Sequence, residues 1–153
     1  MRRRALIPFV ALLSGCAFHK TPHVMYEGDH PLSDTAVFSS FDDKAGPARE
    51  MAARIHSVDG NKASCVQVGC PYWVRVLPGT HSFAVTYATD WNLNYHLEAN
   101  LDIVVADMKP RHVYVVRYRT DGGGVAQIVE DLGENPDWGL PLGWGRAPYK
   151  VKF

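Results

Sequence analysis

A chain of 153 residues with 46% apolar side chains is long enough to bury one core and too short for two. Its 16 basic and 16 acidic side chains cancel, which removes the cationic footprint of a nucleic-acid binder. With 21% charged and 11% aromatic residues, the composition is also not that of a disordered chain.

Arg2, Arg3 and Arg4 open the chain with positive charge, and the apolar stretch Ala5 to Leu13 that follows is well short of the roughly 20 residues a membrane-spanning helix needs. The stretch runs into Leu13-Ser14-Gly15-Cys16. This resembles the lipobox of bacterial lipoproteins, a small-residue cleavage site directly before a cysteine. The resemblance implies that residues 1–15 are a signal peptide, that the Cys16 thiol takes a diacylglycerol and that its freed amino group is acylated. Two or three chains anchor a protein permanently where one does so only marginally. Ala17 stands where an Asp would imply retention in the inner membrane, so the family rule places the protein in the bacterial cell envelope, on the outer membrane facing the periplasm. Removal of residues 1–15 takes 153 residues to 138 and, with the loss of three arginines, 16 basic side chains to 13 against 16 acidic ones, a net charge of −3.

From Ala17 to Asp34 the chain carries His19, Pro22, His23, Gly28, His30 and Pro31 with few apolar residues, and reads as a flexible tether over 16–34. Roughly 18 residues reach at most about 60 Å, enough to hold a domain clear of the lipid. His19 and His23 have metal-ligand spacing only on a helix, which Pro22 between them opposes, so no metal and no cofactor is expected.

Residues 35–153 read as a single all-β domain. Short segments of period two cover Ala36–Phe41, Ala52–Val58, Trp73–Leu77, Ser82–Ala88, Asn100–Ala106, Val113–Arg119 and Val125–Glu130. Between them stand the turn signals Asp59-Gly60-Asn61, Pro78-Gly79, Lys109-Pro110 and Asp121-Gly122-Gly123-Gly124. Phe83, Val85 and Tyr87 share one face, as do Leu101, Ile103 and Val105, and as do Tyr114, Val116 and Tyr118. Only Lys44 to Arg54 carries any helix signal, and Gly46-Pro47 interrupts it. About seven short strands of this kind imply an antiparallel β-sandwich of prealbumin-like or Ig-like type.

With Cys16 taken by lipid, Cys65 and Cys70 remain as an even pair in an oxidising compartment and are expected to form a disulfide. A metal site would need a second ligand pair at finger spacing, and a redox motif has two intervening residues rather than four.

Ser57-Val58-Asp59-Gly60, Leu77-Pro78-Gly79-Thr80-His81 and Arg111-His112-Val113-Tyr114-Val115 together resemble the V-D-G, P-G-x-H and later x-x-Y pattern of small bacterial envelope lipoproteins with a PEGA-like, prealbumin-type sandwich. The likeness covers Ala52 to Val116, and its motifs are turn chemistry: a positive φ at Asp59-Gly60, and Pro fixed before a free Gly at Pro78-Gly79. The family pattern is departed from by the insert Asn61 to Tyr72 that carries both cysteines.

The chain has no G-x-S-x-G, no H-E-x-x-H and no phosphate-cradling glycine loop before a helix. Asp59 and His81 could act as orienter and base, yet turn chemistry accounts for both and no nucleophile accompanies them. A non-enzymatic protein is expected. The aromatic residues are the better lead. Trp91 and Tyr95 lie in what reads as a long connection between strands, and Trp138 and Trp144 in the Gly/Pro-rich tail Glu134 to Pro148. Exposed, they would stack on sugar rings or anchor an envelope protein; folded back, the tail would cap the sandwich. Tyr149-Lys150-Val151-Lys152-Phe153 alternates again and is expected at a sheet edge. Its terminal aromatic also resembles the C-terminal signal of outer-membrane barrels, but the strands expected here are mostly shorter than the roughly 9–11 residues such barrels need.

The expectation is therefore a non-enzymatic, periplasm-facing lipoprotein, an accessory or binding component of an envelope assembly, attached to the membrane by its lipid. The alternative is a glycan- or peptidoglycan-binding module working through Trp91, Trp138 and Trp144. A third reading, by fold-level likeness to the prealbumin-like lipoprotein of type VI secretion systems, is a secretion-associated outer-membrane lipoprotein.

Overall fold

The computed structural model describes residues 20–45, 53–65, 69–92, 95–121, 124–141 and 147–153, with backbone alone for 89–92, 95, 96, 120 and 121. The expected signal peptide, Cys16 and Trp144 lie outside the described residues. Among those residues stand eleven strands: β1 (His23–Val24), β2 (Ala36–Ser39), β3 (Arg54–Val58), β4 (Asn61–Lys62), β5 (Trp73–Val76), β6 (Gly79–Asn92), β7 (Tyr95–Met108), β8 (His112–Asp121), β9 (Gly124–Glu134), β10 (Gly139–Leu140) and β11 (Tyr149–Lys150). One turn of 3-10 helix, Leu32–Asp34, precedes β2.

The strands form a five-stranded sheet in the order β1-β5-β2-β8-β9, a four-stranded sheet in the order β4-β3-β6-β7, and a small ribbon of β10 and β11. The four-stranded sheet is antiparallel throughout. The five-stranded sheet is mixed, because β2 runs parallel to β8 and β1 parallel to β5. Both sheets are open.

Side-chain alternation makes the core. Phe83, Val85 and Tyr87 of β6 and Ile103 and Val105 of β7 face Ala36 and Phe38 of β2, Val74 and Val76 of β5, and Tyr114, Val116 and Tyr118 of β8. Phe38 and Phe83 stack across the two sheets, ring centroids 3.7 Å apart. The all-β sandwich expected from period two is the architecture observed. β2 and β5, however, are buried along their whole length. The outer face of the five-stranded sheet carries its own cluster, in which Val37, Trp73, Val113 and Val115 pack under Trp138, Leu140, Tyr149, Val151 and Phe153. The C-terminal segment therefore makes a third layer, and β2 and β5, expected as strands of period two, are instead buried on both faces.

Turn chemistry acts where expected. Asp59 and Gly60 both hold positive φ, 51° and 78°, and Val58 pairs with Asn61 across them. That is the backbone a two-residue hairpin of type I′ requires. Gly79 also has positive φ, 138°.

Three expectations change. Trp91 and Tyr95 are not in a long connection: β6 and β7 are 14 residues each, and Asn92 pairs with Tyr95, so the connection is residues 93–94. Polar residues such as Thr89, Asp90 and Asn92 hid these strand ends, because a hairpin arm that pairs only with itself needs no apolar face. With 10 residues in β8 and 11 in β9, the strands are also longer than the sequence pattern indicated. Finally, the chain joins the fold at His23, not at Asp34: β1 adds to the edge of β5, and the Met25 amide continues the pairing to the Arg75 carbonyl at 2.9 Å.

Candidate functional site

The disulfide is present. Cys65 and Cys70 are bonded, with Cα atoms 4.1 Å apart. His56 stands beside it with Nδ1 3.6 Å from Cys70 Sγ. A register shift between Ile55 and Ser57 leaves His56 as the extra residue of a β-bulge, and that bulge turns its ring toward the disulfide. His56, Cys65 and Cys70 have the donor types of a soft-metal site, but bonded sulfurs present no thiolates.

Asp59 and His81 do meet. Asp59 Oδ2 lies 2.6 Å from His81 Nδ1, and the Ser82 amide donates to Asp59 Oδ1 at 2.8 Å. Burial pushes the Asp59 carboxyl up, but the hydrogen bonds from Ser82 and His81 and the charge of His81 outweigh it and hold the carboxyl below its ordinary value. The other ring nitrogen of His81 is 2.8 Å from the Leu77 carbonyl. Both nitrogens are thus spent on ordering the β3–β4 and β5–β6 turns, leaving none for a substrate.

Trp138 is buried, 7% exposed, and packs edge-on against Trp73 with centroids 5.9 Å apart. It is a core residue of the third layer and no platform for a sugar. Trp91 lies in β6 and Tyr95 in β7.

A second polar cluster binds the sandwich to itself. Arg117 donates to Asp42 at 2.9 Å, to Asp43 at 2.5 Å and to Glu130 at 2.6 Å, while Lys44 holds the other oxygen of Glu130 at 3.0 Å. Asp42 is buried and accepts the Tyr118 amide at 3.1 Å. Burial alone would lower the Arg117 pKa, but the three carboxylates raise it far above normal, and Arg117 with Lys44 holds Glu130 low. Each of the three carboxylates is held by Arg117 or Lys44, so the cluster is a clamp between β8, β9 and the segment that follows β2.

The arrangement with unspent chemistry lies at the opposite edge, where β1 and the C-terminal segment meet. Arg75 is the one charged residue of β5 and is only 3% exposed. It donates to Thr35 Oγ1 at 2.6 Å and to the Lys152 carbonyl at 2.7 Å, with Cζ 5.2 Å from the Phe153 ring centroid. Burial lowers its pKa, with Tyr26 opposing that shift. Among the described residues no carboxylate pairs with it. Beside it opens a groove of about 400 Å³, with Pro22, Val24, Leu32 and Tyr149 as apolar lining and Lys20, Lys150 and Lys152 as cations. Among the described residues no acidic side chain lines it. Sequence pattern does not mark this site, although one signal is present: a charge in the middle of the otherwise apolar stretch Trp73-Val74-Arg75-Val76-Leu77.

Comparison with protein-family models, with curated proteins and with solved structures finds no match.

Proposed function

We propose that this is a non-enzymatic lipoprotein of the bacterial envelope, a β-sandwich held through Cys16 on the periplasmic face of the outer membrane, where it serves as a binding or accessory component of an envelope assembly. The observation that carries the reading is the position of the lipobox cysteine relative to the fold. Cys16 stands only seven residues before His23, where β1 joins the sheet edge. Seven residues span at most about 25 Å, so an acylated Cys16 keeps the domain close to the lipid surface. The His81–Asp59 pair supports a non-catalytic role, since both imidazole nitrogens are already bonded within the fold.

Mass spectrometry of the mature protein tests the anchor. The N-terminal peptide is expected to begin at Cys16 and to carry the mass of a diacylglycerol and an acyl chain, and Cys16→Ser is expected to abolish both the mass and membrane fractionation. An unmodified mature N-terminus in the wild type overturns the reading.

A further inference from the structure

We propose that the groove between β1 and the C-terminal segment docks the headgroup of an anionic phospholipid in the membrane that carries the protein. Two observations and one consequence of the anchor reading converge on it. The first is charge. Lys20, Lys150 and Lys152 line the groove, Asp137 pairs with Lys150, and buried Arg75 is held by two neutral acceptors with no carboxylate partner among the described residues. Each lysine near an anionic membrane surface contributes about fivefold to binding.

The second is apolar exposure next to those cations. Val24 at 49% and Leu32 at 46% are two of the four large hydrophobics exposed among the described residues, and both line this groove. A cationic rim over apolar contacts matches a phosphate joined to methylene groups, and about 400 Å³ falls in the range of small-ligand sites. A free phosphate would leave the apolar part unused.

The third is delivery, and it rests on the anchor reading above. Lys20 is four residues after Cys16, at most about 14 Å along the chain, so an acylated Cys16 brings this edge of the sandwich to the depth of the headgroups.

The test reads lysine reactivity. The full chain carrying Cys16→Ser is mixed with short-chain phosphatidylglycerol, with short-chain phosphatidylcholine or with inorganic phosphate, and amine acylation is followed residue by residue by mass spectrometry. Phosphatidylglycerol is expected to slow labelling of Lys20, Lys150 and Lys152 severalfold and to leave exposed Lys62 and Lys109 unchanged, while the other two additives protect nothing. Lys20→Glu with Lys152→Glu, both exposed positions, is expected to weaken phosphatidylglycerol protection by at least about fivefold for each charge. Equal protection by phosphatidylcholine, protection by inorganic phosphate, or no protection overturns the proposal. The same labelling of the acylated wild type in vesicles of phosphatidylcholine, with and without phosphatidylglycerol, separates the two readings. Protection by the short-chain lipid with an unmodified N-terminus refutes the anchor alone. An acylated N-terminus with unprotected lysines refutes the groove alone.

Discussion

Trp138 meets Trp73 edge-on at 5.9 Å, and that contact joins Trp138, with Leu140, Tyr149, Val151 and Phe153, to the apolar cluster on the outer face of the five-stranded sheet. The edge-to-face geometry suits the aromatic quadrupoles, and it fastens the C-terminal segment to the outer face of the five-stranded sheet. One detail is costly: Trp138 Nε1 is buried with no hydrogen-bond partner among the described residues. Trp138→Ala is expected to destabilise by about 3–5 kcal/mol through the cavity it leaves. Trp138→Phe is expected to cost much less, since it keeps the ring and removes the orphaned donor. Thermal unfolding of the two variants side by side checks this, and equal losses would mean that ring packing is not what holds the tail.

Gly139 has no room for a side chain. A Cβ there would stand 2.5 Å from the Tyr149 carbonyl oxygen and 2.9 Å from Lys150 Cα, all backbone that only a shift of β11 could clear. Gly139→Ala is expected to part the β10–β11 ribbon at a cost of about 1–3 kcal/mol. Because Lys152 and Phe153 stand just beyond β11, after Val151, and contact Arg75, the same variant is expected to raise hydrogen exchange at residues 149–153 well before it affects β8.

Phe83 sits at the centre of the sandwich, fully buried and stacked on Phe38. Truncation to Ala is expected to cost about 3–5 kcal/mol, a large share of a domain's usual 5–15 kcal/mol. Chemical denaturation measures it, and a loss below about 1 kcal/mol would be incompatible with that packing.

Acid should reveal the Asp59 turn. Its carboxyl pKa is lowered in the fold relative to the ordinary 3.8, so the ionised form contributes stability above that value, and the contribution disappears as pH falls through the lower folded-state pKa. Asp59→Asn is expected to be less stable than the wild type near neutral pH, with the gap closing below about pH 4. Melting temperatures of both proteins across that range decide it; a constant gap would show that the carboxylate charge plays no part.

The disulfide closes a loop of six residues, Cys65 through Cys70, which by chain entropy stabilises by only about 2 kcal/mol. Labelling of the denatured, unreduced protein is expected to find neither thiol free, and reduction is expected to lower the melting temperature modestly without unfolding the domain.

Much of this fold was legible from residue pattern, and the physical reason is locality. Alternation of Phe83, Val85 and Tyr87 commits a strand to one buried face whatever lies opposite, Asp59-Gly60 permits the positive φ of a two-residue turn on its own, and Cys65 and Cys70 are near enough in sequence to bond across a single loop. The sequence by itself therefore determined an all-β sandwich, its main turns and its disulfide. Contacts between residues far apart in the chain were decided only by the tertiary structure. Whether Trp138 faced solvent or core depended on Trp73, 65 residues earlier, and the end of the expected tether depended on β5 offering a free edge to His23 and Val24. The groove is the clearest case: Lys20, Arg75 and Lys152 are unremarkable charges in three distant segments, and only the packing of β1 and the C-terminal segment about β5 places them around one apolar cleft that, among the described residues, no acidic side chain lines.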